Sequence, residues 1–207
     1  ARESLDEIQE QSRLLAEDLP MLAPLASETV ALAETLWAAD GLIAASERTV
    51  KALDTTRHHQ AQLNQIADMT SRKFEAYGHR GSVVRWWPDI PEDFPEPGRV
   101  AKDIADLAQE IPEVEHTLIV YEQQRARAFE LARTTMIALQ TEFGEEPDPA
   151  LARRVQNLLS ARQNMLDELI ERGGRYSNQL VERQTAEVNF LEHVRDVERF
   201  LYTHILW

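Results

Sequence analysis

Glu113, Val114, Glu115 and His116 form an E-x-x-H, the one spacing in this chain that resembles a metal-ligand motif. Residues three apart share a helical face, so Glu113 and His116 would reach towards the same ion. A di-metal helical bundle needs two such motifs and two further glutamates. No second E-x-x-H occurs, and both residues flank an apolar stripe, which reads as a pair of solvated positions. His58 and His59 are adjacent and therefore point to different sides of a helix, a poor geometry for chelation. Without cysteine, thiolate metal sites, disulfides and cysteine nucleophiles are excluded together. The chain also lacks a G-x-S-x-G, a P-loop and a dinucleotide-binding glycine pattern. With 36 acidic residues, paired carboxylates carry no information. The expectation is a non-catalytic protein with no cofactor and no bound metal.

Two aromatic groups remain. Trp86 and Trp87 stand near Tyr77, Phe94 and the prolines 88, 91, 95 and 97. Such a cluster either lines a ligand or protein contact or forms a small satellite core that holds a loop onto a bundle. The chain ends on Phe200, Tyr202 and Trp207 among aliphatic residues, the composition of the aromatic belt at a membrane-water interface. The three rings cannot share one helical face, so closing a core does not account for all of them.

Composition narrows the partners. Acidic residues outnumber Lys and Arg by 36 to 22, a formal net charge of -14. That balance repels a phosphate backbone and disfavours adsorption on an anionic lipid surface, so no nucleic-acid partner is expected. A membrane-adjacent tethered domain is compatible with it. There is no signal-peptide pattern and no run of about 18 apolar residues, so the piece as given reads as water-soluble.

The elements that would carry these residues read as helices. Seven Gly and nine Pro are few, and 43% of the chain is hydrophobic, enough for a sizeable core. Asp148 and Pro149 mark a helix start by side-chain capping and a proline in the first turn. Apolar residues then recur in three-four steps from Leu151 through Val155, Leu158, Met165 and Leu169, and on through Tyr176, Leu180, Val188, Leu191, Val194 and Leu201 to Ile205. Such a helix would be roughly 85–90 Å long at 1.5 Å per residue, with Gly173 and Gly174 as a weak point or a place of close backbone approach. A partner run extends from Val100 to Leu139, with its phase kept across Pro112, as a kinked or restarted helix. Residues 142–148 read as the turn between the two. The first 78 residues are helical in character, with a break at Pro20 and Pro24, a restart near Ser27 and an interruption at residues 39–41. Within the Pro/Gly/Trp-rich turn, Ser82 is placed to cap a short helix through Trp87.

The expected fold is all-α: an elongated antiparallel helical bundle with long coiled-coil-like helices. Its parts are an N-terminal helical arm (1–78), a Pro/Gly/Trp-rich turn with a short helix (79–98) and a long helical hairpin (99–207), one domain overall.

Several landmarks in order carry a resemblance. They are Asp148-Pro149-Ala150-Leu151, the stretch Arg162 to Ile170 (RQNMLDELI), Tyr176, and Phe200-Leu201 followed by Leu206-Trp207; Glu75 to Glu115 also fits in layout. Together these cover about half the chain, and they resemble the extracytoplasmic, porin-like domain of the large potassium-dependent type of MscS-like mechanosensitive channels. Two features depart from that pattern. Thr203 and His204 stand where an acidic-basic pair is usual, and Trp86 and Trp87 replace a basic, polar helix.

The resemblance implies a non-catalytic periplasmic domain of a bacterial inner-membrane channel that responds to osmotic shock. It implies that transmembrane helices follow Trp207 and that the last helix couples to the first of them, which would place Phe200, Tyr202 and Trp207 next to the membrane. It also implies a homo-heptamer in the full-length protein and an influence on gating. The alternative from the residues alone is a free-standing helical scaffold or adaptor acting by coiled-coil association.

Overall fold

In a computed structural model, residues 2–77, 94–143 and 148–205 are described. Six α-helices follow in order among the described residues: α1 (Arg2–Asp18), α2 (Ala23–Trp37), α3 (Leu42–Tyr77), α4 (Pro97–Ala126), α5 (Ala128–Phe143) and α6 (Pro149–Ile205), with a 3-10 turn at Pro20–Leu22. There is no strand among the described residues; the fold is an all-α helical bundle.

Helix starts follow side-chain chemistry. Asp148 Oδ1 accepts a hydrogen bond from the Ala150 amide at 3.0 Å, satisfying one of the orphan donors of the first turn, and Pro149 occupies a position whose missing N–H costs nothing. From there α6 runs for 57 residues through Gly173 and Gly174. Pro20 separates α1 from α2 as expected. Pro24 does not: α2 already begins at Ala23, and Pro24 sits in its first turn, where proline is as acceptable as at a break. Pro112 lies inside α4. The long run interrupts instead at Arg127, and only slightly, since the Arg127 amide still reaches Gln123 O at 3.2 Å and Leu131 reaches Arg127 O at 3.0 Å.

The chain divides into two compact units, Ala1–Glu47 with Pro112–Asn178, and Arg48–Ile111 with Gln179–Trp207. In the first unit, Leu15 of α1, Leu19 just after it, Leu25 and Ala26 of α2, Leu139 of α5 and Val155 and Leu158 of α6 are buried together. A second cluster joins Leu32, Ala33 and Leu36 of α2 to Met165, Leu166 and Leu169 of α6, with Leu5, Ile8 and Tyr121 packed against it. As α6 advances from one cluster to the other, α2 advances with it while α1, α4 and α5 run backwards. The hairpin of α4–α5 with α6 is therefore antiparallel. Each fully buried leucine contributes about 1.5–3 kcal/mol relative to an exposed one, so these clusters far outweigh the surface ion pairs of this unit, such as Arg154–Asp18 and Arg125–Asp167.

In the second unit Leu63 of α3, Val100 of α4 and Phe190 and Leu191 of α6 form the core, with Phe94, Ile104, Val194 and Val197 against it. Threonines sit on these helices at little cost because their hydroxyls donate to the carbonyl four residues back, as Thr56 does to Ala52 and Thr70 to Ile66.

The two central glycines differ in a testable way. A Cβ on buried Gly173 would run into the Leu118 side chain of α4, whereas one on Gly174 meets nothing within 4 Å. Gly174→Ala should therefore stabilise the protein by about 0.5–1 kcal/mol in urea unfolding, through helix propensity alone. Gly173→Ala should gain less or lose stability, because Leu118 must move. Equal gains at both positions would show that α4 and α6 do not depend on this close approach.

Candidate functional site

The second unit holds a cavity of about 720 Å³, within the range of small-molecule sites. Three elements supply its wall. Thr55, Thr56 and His59 come from α3; Phe94, Pro95 and Glu96 precede α4, which adds Arg99, Val100 and Asp103; α6 brings Arg183, Glu187 and Phe190. Positions 183, 187 and 190 are four and three apart, so they descend one face of α6 towards the same space.

The apolar side of the cavity is aromatic. The Phe94 ring lies 5.4 Å from Phe190 and 5.6 Å from His59, centroid to centroid, and His59 is 6.4 Å from Phe190, all tilted. Phe190 is 1% exposed and anchors the group. The neighbouring His58 faces solvent, so the two histidines diverge as their adjacency requires.

The polar side contains a carboxylate in an unusual position. Glu187 is 4% exposed. One oxygen accepts from Arg183 Nε at 2.8 Å, while Oε2 is buried without a hydrogen-bond partner. Burial raises the Glu187 pKa above its ordinary value, the Arg183 hydrogen bond and charge oppose the rise, and the nearby Asp103 charge adds to it.

The other expected positions fall as follows. Glu113 and His116 are both exposed on α4, and no group of three or more His, Asp or Glu placed to hold a metal ion occurs among the described residues. Of the aromatic turn cluster, Phe94 is half-buried between His59 and Phe190. The Tyr77 side chain, Trp86, Trp87 and the stretch expected to form a short helix from Ser82 lie outside the described residues, as does most of the turn expected at 142–148. At the end of α6, Phe200 meets Phe74 of α3 edge-to-face at 5.9 Å, so this ring packs within the second unit. Tyr202 is 62% exposed, and Trp207 lies outside the described residues. No described helix is long and apolar enough to cross a membrane.

A second buried charge sits in the first unit. Arg162, 6% exposed, reaches Gln124 at 3.4 Å and Glu28 at 3.5 Å, and its Nε has no partner.

The sequence reading missed Glu187. Its pairing with Arg183 four residues earlier looks like any exposed helical ion pair, and only the aromatic neighbour Phe190 hints at burial. No family model matches the chain, and no curated protein or solved structure matches it either.

The Glu187 shift has a definite sign. With the folded-state pKa above the ordinary 4.5, the folded protein holds a proton that the unfolded chain has released, and stability falls as pH rises through that interval. Glu187→Gln removes this loss. Melting temperatures of the two proteins should diverge as pH rises from about 4.5 towards neutrality, with the variant gaining on the parent. A constant difference across that range would mean that Glu187 titrates normally.

Proposed function

We propose that this chain is the non-catalytic, helical periplasmic domain of an MscS-like mechanosensitive channel in a bacterial inner membrane. The observation that supports this reading is α6. It starts at the capped Asp148-Pro149 position, stays helical through Gly173 and Gly174, and buries Tyr176 and Leu201 on the way, so the landmarks from Pro149 to Leu201 fall on one uninterrupted element. A continuous helix resists bending better than a linked pair, and on this reading α6 passes force or position to a transmembrane helix beyond Trp207. Any ligand or crowding that favours one state of the domain then biases channel opening by its differential affinity. The channel would be a homo-heptamer built mainly by parts outside these residues.

The test is electrical. In membrane patches, removal of residues 1–207 from the natural gene product should shift the tension needed for opening. An unchanged threshold would remove the gating role, and a reading frame without apolar stretches of about 20 residues after Trp207 would remove the channel reading.

A second reading, a helical scaffold that binds partner helices, has one observation in its favour. Phe129 is 76% exposed, with Ile119, Ile137 and Phe143 about half exposed on α4 and α5. On that reading the 207-residue chain self-associates in sedimentation experiments, and Phe129→Glu returns it to a monomer. A chain already monomeric at high concentration would count against self-association.

A further inference from the structure

We propose that the exposed stripe of α4 and α5 is an interface between two copies of this chain, which pair antiparallel about a two-fold axis beside residues 127 and 128. The interface rests on the scaffold reading above and goes further, by fixing which residues meet.

The stripe has the spacing of a coiled-coil seam. Ile119, Glu122, Ala126, Phe129, Arg133 and Met136 follow one another in alternating steps of three and four, which sets them along one line of a helix. The line carries on past Arg127, because the amides of Arg127 and Leu131 still reach the carbonyls four residues back. Ile119 is 51% and Phe129 76% exposed; Glu122, Ala126 and Arg133 are exposed as well, and Met136 is half-buried. Apolar side chains held in water along such a line gain by being covered.

The cover that fits is the same seam reversed. Rotation about an axis between residues 127 and 128 sets Phe129 over Ala126 of the second copy, Arg133 over its Glu122 and Met136 over its Ile119, and the symmetry repeats each pair. A large ring then meets a small side chain, and each charge meets its opposite. Neither Glu122 nor Arg133 takes part in an ion pair among the described residues, so both are free to pair across the axis. Two copies aligned in the same direction and in register would oppose Glu122 to Glu122 and Arg133 to Arg133, which like-charge repulsion disfavours. The net charge of -14 sets copies against each other at long range. Residues 119–143, however, carry Glu122, Glu130 and Glu142 against Arg125, Arg127 and Arg133. The contact region is therefore neutral, which removes that penalty for a second copy and gives a cationic partner no excess charge to recognise.

The absence of cysteine makes a cross-linking test clean. Glu122→Cys and Arg133→Cys versions of the 207-residue chain are purified separately, then mixed and oxidised. The mixture should give a covalent dimer with one chain of each kind. Either variant alone should not, because equivalent positions on the two copies lie eleven residues apart along the seam, roughly 16 Å, beyond the reach of a disulfide. In sedimentation at neutral pH and physiological salt, Glu122→Arg should weaken self-association by about tenfold or more, since it sets two guanidiniums face to face. Adding Arg133→Glu to the same chain should restore the affinity to within about threefold. Both positions are exposed, so the variants should keep the helical circular dichroism of the parent. In a chain that self-associates, cross-linking of either variant with itself, no cross-link in the mixture, or no rescue by the double reversal would each overturn this pairing and leave the scaffold reading standing. A chain monomeric at high concentration would overturn both.

Discussion

The apolar side of α6 has to be covered along its length, because a helix of 57 residues gains most of its stability from packing of its apolar face and little from propensity. Each of the three buried clusters includes α6 side chains: Val155 and Leu158 in one, Met165, Leu166 and Leu169 in the next, Phe190 and Leu191 in the third. The other helices are arranged by this requirement. α1, α2, α4 and α5 cover residues 151–169, and α3 with the start of α4 covers residues 190–197. Surface ion pairs such as Arg13 with Glu10 and Glu17, all largely exposed, decorate this arrangement and contribute little to it.

Against that apolar background, two charged groups are set into the bundle in different ways. Arg162 keeps contact with Gln124 and Glu28 from two neighbouring helices, so its charge is shared out within a packed core. Glu187 instead pairs along its own helix and keeps one oxygen buried without a partner. Burying a half-satisfied carboxylate is a structural cost with no evident packing benefit, and stability sacrificed at one residue is the usual mark of a position kept for something other than stability.

Much of the helical architecture was legible in the residues. Asp148-Pro149 defined the start of α6 because capping chemistry is local, and the three-four spacing defined its inward face because only one stripe of a helix can be covered by one neighbour. Leu166 and Phe190 escaped that pattern for a physical reason: each stands beside another buried residue, Met165 and Leu191, which occurs when a helix is packed from more than one direction. Pro24 misled because proline in a first turn and proline at a break look alike. The interruption at Arg127 has no glycine or proline to announce it, and nothing in the structure explains it. The cavity was invisible in the sequence, since its wall is drawn from positions 52–59, 94–103 and 183–190, and distance along the chain gives no hint that they meet.

The chain crosses between its two units three times, between Glu47 and Arg48, Ile111 and Pro112, and Asn178 and Gln179. Every crossing falls inside a helix, in α3, α4 and α6 respectively. Neither unit is a continuous stretch of sequence, and no exposed linker separates them, so the usual sites for nicking and grafting are absent there. A gene fusion that borrowed one unit alone would have to cut three helices. Any transfer of this piece between genes that kept its helices intact would have to carry both units together.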